Sequence, residues 1–200
     1  MSDLLIGNTV PSDIFIGRSP VNAVYVNKTL VWQAGVFVYF DSGSVDGITW
    51  KANALTRSGY TSYASASVAS TYLQISTSAR DTTYKHNAHV VMETAAKIPR
   101  GVTRLCMKVY CQSGGYGFND GSSLKIGLVP VNATATSAMI TIASGTCSTT
   151  SFDSVTEAKT ISGDCSAYAG SSDYKIIVQG TQTPRAGGSR VVRIIKIWFE

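Results

Sequence analysis

RLCMKVYC (Arg104–Cys111) sets Leu105, Met107 and Val109 at every second position, with Cys106, Lys108 and Tyr110 between them. Side chains of a strand alternate between its two faces, so this period of two predicts a strand with one face in a core. RVVRIIKIWF (Arg190–Phe199) repeats the signal less cleanly. Val192, Ile194 and Trp198 read as one row opposite Arg193 and Ile195, and Lys196 breaks that row. Working outward, further short apolar runs predict strands at Val36–Phe40, Ile48–Ala54, Thr71–Ser76, His89–Ile98, Leu124–Val129, Ala138–Ala143, Glu157–Ile161 and Tyr174–Gln179. DSGSVDG, SGGYGFNDGSS, ASGTCSTTS, SGDCSAYAGSSD and GTQTPRAGGS separate them, rich in the Gly, Asn, Asp and Ser that turns favour. IPRGVT, with Pro99 and Gly101, reads as a corner from one sheet to another, and Ser58–Thr71 as a long loop or weak edge strand. Ten short strands at this spacing predict a jelly-roll-like two-sheet β-sandwich over residues 35–200.

Composition points the same way. The 200 residues hold 25 Ser, 21 Thr, 19 Val and 15 Ile, against only 8 Leu and 3 Glu. β-Branched side chains pack well on a pleated sheet and lose freedom in a helix, so the chain reads as all-β. Charged residues make up 14%, too few for a disordered polyelectrolyte. The best apolar stretch, LVWQAGVFVYF, is interrupted by Gln33 and Gly35 and falls short of a membrane span, so no membrane insertion is expected. MSDLLIGNTVPSD carries an acid where a signal peptide needs bases, which predicts synthesis in the cytoplasm without classical export. The net charge of +5 is thinly spread. Only RVVRIIKIW gathers cations, Arg190, Arg193 and Lys196, and these read as a solvated strand face, with no nucleic-acid partner. The four cysteines show no metal-ligand spacing, and Cys106 and Cys111, five apart on one strand, cannot bridge each other. Free buried thiols are expected, with a Cys147–Cys165 bridge as the alternative.

Residues 1–34 differ from the rest. Asp13–Gly17, Ala23–Val26 and Thr29–Gln33 read as a three-stranded antiparallel meander with a turn at Pro20, and Ala34-Gly35 reads as a hinge to the sandwich. So small a sheet cannot bury both faces alone. Phe15, Tyr25 and Trp32 are therefore the candidate docking residues of an N-terminal module.

Chemistry-bearing constellations are sparse. His86 and His89 form HNAH with only Glu93 near, which reads as solvent-facing or capping histidines without a metal. Of the 12 acids, Asp41, Asp46, Asp120, Asp153, Asp164 and Asp173 fall in turn segments, where Asp bonds its own backbone. No nucleophile elbow, phosphate loop or dinucleotide fingerprint occurs, so neither catalytic residues nor a cofactor are assigned. Binding has better support. Tyr116 and Phe118 stand beside Asn119 and Asp120 in a glycine-rich loop, the aromatic and amide set that stacks on a sugar ring and bonds its hydroxyls. The same loop also reads as plain cover for a sheet edge. Tyr60, Tyr63, Tyr72 and Tyr84 form a second group, suited either to adaptable recognition or to ordinary packing.

LLIGNTVPSDIFIGRSPVNAVYVNKTLVWQ resembles the opening of structural proteins of tailed bacteriophages and prophages, in which short hairpins precede a β-sandwich. TAAKIPRGVTRLCMKVY, LKIGLV, YKIIVQG and RVVRIIKIWFE are similar to the sandwich of tail or baseplate accessory proteins. The resemblance implies a virion component of the tail, baseplate or capsid decoration, assembled in the host cytoplasm as a homo-oligomer. Its partners would be other virion proteins, with adhesion to a cell-surface glycan as a second duty and no enzymatic one. The residues leave two alternatives beside it: a free carbohydrate-binding module using the Tyr116 loop, and a cell-wall hydrolase.

Overall fold

The alternation of Arg104–Cys111 is realised in space: Leu105, Met107, Val109 and Cys111 all enter one core and are fully buried. A computed structural model describes residues 15–16, 19–20, 23–26, 29–33, 37–45, 47–55, 63–78, 86–113, 115–116, 123–133, 138–148, 158–182 and 189–200. In chain order the strands are β1 (Phe15–Ile16), β2 (Ser19–Pro20), β3 (Ala23–Val26), β4 (Thr29–Gln33), β5 (Phe37–Asp41) and β6 (Trp50–Leu55). There follow β7 (Tyr63–Val68), β8 (Leu73–Ser78), β9 (His86–Met92), β10 (Arg104–Ser113), β11 (Gly115–Tyr116) and β12 (Ser123–Pro130). The last are β13 (Ile140–Gly145), β14 (Cys147–Ser148), β15 (Lys159–Asp164), β16 (Tyr174–Gln182) and β17 (Ser189–Phe199). The only helix among the described residues is one 3₁₀ turn at Ser166–Tyr168.

Each of the ten expected sandwich strands is present, shifted by a few residues, and Tyr63–Val68 resolves the ambiguous segment as an edge strand. Two antiparallel sheets result. One runs β15–β10–β17–β8–β7, with β5 also paired to β17, and the other β13–β12–β16–β9–β6. Eight of these strands divide between the sheets in the orders β8–β17–β10–β15 and β9–β16–β12–β13, the jelly-roll arrangement. The chain passes from β9 in one sheet to β10 in the other through the expected Pro99–Gly101 corner, where Gly101 has φ +81°. Phe40, Leu73, Ile75, Met92, Leu124, Ile126, Leu128, Ile176, Val178, Ile194 and Phe199 fill the space between the sheets. At one side β13 and β15 come so close that a Cβ on Gly163 would lie 2.1 Å from the Ile142 carbonyl oxygen, so the closure depends on glycine there.

Several expectations are corrected. The leading strands form two separate two-stranded ladders, β1–β2 and β3–β4, in place of one three-stranded meander. Phe15 pairs with Pro20, so Pro20 lies on a strand and not in a turn. Phe15, Tyr25 and Trp32 lie on β1, β3 and β4, while the hinge at Ala34-Gly35 lies outside the described residues. Trp198 does not share a face with Val192 and Ile194. β17 carries a bulge: Lys196 pairs with Lys108, yet the next pair is Ile194 with Val109, so Ile195 is an extra residue. The inward row is therefore Val192, Ile194, Ile197 and Phe199, and Trp198 turns outward with Lys196 and Arg193. Arg190, expected on a solvated face, is buried. Cys111 is disulfide-bonded, contrary to the expectation of free thiols throughout. Cys106 and Cys165 are free, which removes the Cys147–Cys165 bridge.

Candidate functional site

The bulge in β17 determines what the six-stranded sheet shows on its outer face. Cross-strand register sets Trp198 between Cys106 on β10 and Val38 on β5, with Ser162 of β15 beyond Cys106. The next row is Thr160, Lys108, Lys196 and Asp41, and the one after it holds Tyr110, Arg193, Gln74 and Ser67. Tyr72, just before β8, closes over this last row.

Its side chains are tied together by polar contacts. The Trp198 indole N–H donates to Glu200 Oε2 at 3.1 Å, and Lys196 Nζ stands 5.7 Å from the indole centroid. Lys196 Nζ also pairs with Asp41 Oδ2 at 3.1 Å. Arg193 donates from Nε to Gln74 Oε1 at 3.1 Å and from Nη1 to Tyr110 Oη at 3.3 Å, while its guanidinium lies 4.2 Å from the Tyr72 ring centroid. Gln74 Nε2 in turn donates to Ser76 Oγ at 3.3 Å. Arg104 reaches Glu200 Oε1 at 3.6 Å and donates to Ser162 Oγ. A planar guanidinium held by a stack and two hydrogen bonds loses little further freedom when a ligand arrives. Beneath the face, burial first and Glu200 second push the Cys106 thiol up to about 12, so it is protonated and unreactive.

The opposite sheet shows a different outer face. Val91, Val129 and Ile177 form a small apolar cluster against Ala133, Ala138 and Met139. Beside it His89 pairs across strands with Asn53 and Gln179 and is 3% exposed, with neither ring nitrogen hydrogen-bonded. This corrects the expectation of a solvent-facing or capping histidine, and desolvation lowers its pKa. Among the described residues no group of three or more His, Cys, Asp or Glu is placed to hold a metal ion. The turn reading of the acids fits Asp164, whose Oδ1 accepts from the Ser166 N–H at 2.9 Å and whose carboxyl is thereby held below the usual range.

Of the loop residues singled out as a sugar site, Tyr116 pairs through its backbone with Cys147, while Phe118, Asn119 and Asp120 lie outside the described residues. Of the second aromatic group, Tyr72 belongs to the sheet-face site, Tyr63 lies on β7, and Tyr60 and Tyr84 lie outside the described residues. Trp198 was missed as a site residue because a strict period of two puts it in the core. Lys196, breaking that period, was the sign of the bulge.

No protein-family model matches the chain, and no curated protein does. Among solved structures the chain is similar to TmCBM61 in complex with β-1,4-galactotriose, at 7% identity and a TM-score of 0.42, covering 76% of this chain and 87% of that one. It is also similar to a family 11 carbohydrate-binding module from a Clostridium thermocellum cellulosomal cellulase, at 10% identity and a TM-score of 0.43, covering 82% and 94%. A third is CBM28, a module specific for non-crystalline cellulose, at 11% identity and a TM-score of 0.43, covering 80% and 97%.

Proposed function

We propose that the chain is a non-catalytic glycan-binding sandwich whose site is the outer face of the six-stranded sheet. The observation that carries this reading is the row Tyr110, Arg193, Gln74, with Tyr72 above it and Trp198 two rows away on the same face. A sugar ring offers an apolar C–H face and a rim of hydroxyls. Half-buried aromatic rings supply the first partner, and oriented guanidinium, amide and phenol groups supply the second. Nothing in that row needs a nucleophile or a proton shuttle. A single shallow site of this kind binds weakly and gains by repetition, since linking sites raises avidity about 10²–10⁴-fold. A chain displayed in many copies, as the phage resemblance implies, would use it well.

Trp198→Ala tests the reading. On a glycan array the wild-type chain should bind a restricted set of oligosaccharides, and the variant should lose them while keeping its melting temperature within a few degrees. A blank array for the wild type, or unchanged binding by the variant, overturns the assignment of this face.

A further inference from the structure

Among the described residues four cations stand on the outer face of the six-stranded sheet: Arg104 and Lys108 of β10, and Arg193 and Lys196 of β17. Among the described residues only two of them meet a carboxylate. Lys196 is paired with Asp41 and Arg104 with Glu200. Asp164, opposite Arg104, accepts from a backbone N–H. Arg193 gives its hydrogen bonds to neutral Gln74 and Tyr110. Lys108 sits directly across from Lys196, and like charges so placed repel. It is half-buried, with Thr160, a neutral residue, on its other side. In the next outward row of the same strand pair Tyr110 faces Arg193, so Lys108 and Arg193 flank one patch diagonally. Asp41 offsets the charge of Lys196 but not that of Lys108, and an anionic partner arriving beside Lys108 would relieve the remaining repulsion.

We infer that the glycan taken by this face is acidic, a saccharide bearing a carboxylate, sulfate or phosphate, with Lys108 and Arg193 as the residues that recognise the anion. The inference rests on the sugar-binding reading above. Trp198 and Tyr72 would carry the ring, and the two uncompensated cations would select the charged member of otherwise similar sugars. Steering by charge also makes the association rate fall as salt is added.

The test is an array of matched acidic and neutral glycans (uronate, sialylated, sulfated and phosphorylated against unsubstituted), with a dT oligonucleotide as a further probe. Binding should concentrate on acidic members, and the array should distinguish which anion is preferred. For the best of them Lys108→Gln should weaken binding on the order of tenfold, and Trp198→Ala should abolish it. Hits confined to neutral glycans overturn the acidic inference and leave the sugar-binding reading standing, whereas a blank array removes both. Acidic binding that survives Trp198→Ala reveals unspecific polyanion adhesion and also overturns it. Binding of the oligonucleotide, lost in Trp198→Ala, would assign the face to single-stranded nucleic acid instead.

Discussion

His89 and Arg193 show how differently a strand can treat a polar side chain. Arg193 is given an acceptor at two of its nitrogens and an aromatic ring over its plane. His89 is buried with neither nitrogen bonded, so its charged form is disfavoured and desolvation lowers its pKa. In the unfolded chain an imidazole titrates near its ordinary value of about 6.5. Below that pH the unfolded state binds a proton that the folded state refuses. Stability is therefore full above pH ~6.5 and declines as the pH falls towards the lowered folded value. Melting temperature measured from pH 7.5 to 5 should fall through this window, and His89→Gln should flatten the fall. An equal decline in the variant would show that another group is responsible. Neither state was legible beforehand: HNAH announces two histidines but not how deeply the sheet covers the second.

At the scale of elements the chain was most readable where period and turn chemistry agree. β10 and β12 follow a period of two between glycine- and asparagine-rich turns, and the structure places them within a residue or two of expectation. β17 was misread because one extra residue, Ile195, flips every side chain after it, turning Trp198 from core to surface. The candidate site was thus half legible. The sequence puts Tyr72 in an aromatic group suited to recognition or to packing and Arg193 on a solvated strand face, but only register across β5, β8, β10 and β17 joins them. The leading hairpins were read as one sheet because three apolar triplets recur. Two short ladders form instead, and among the described residues neither joins the hydrogen-bonded sheets of the sandwich. A chain lacking residues 1–34 should consequently unfold cooperatively with little change in melting temperature. If these hairpins serve virion docking, as their resemblance implies, the shortened chain should also fail to enter particles. Loss of cooperative folding would show that they belong to the core, and normal incorporation would remove the docking role.

At the scale of the molecule, the sandwich divides its labour between its faces. The inward rows supply an unbroken apolar core, and the outward row of the six-stranded sheet carries aromatic rings, an anchored guanidinium and surplus positive charge. Cys111 is disulfide-bonded, a state that oxidising conditions favour. Three tryptophans make the central claim directly measurable. Trp50 donates its indole N–H to the Tyr39 carbonyl inside the core at 3.3 Å, and Trp198 donates to Glu200 on the outer face. In a nitrogen-15 spectrum titrated with the oligosaccharide best bound on the array, the Trp198 indole resonance should move in a saturable way while that of Trp50 stays fixed. Saturable binding that leaves Trp198 unmoved would contradict the account.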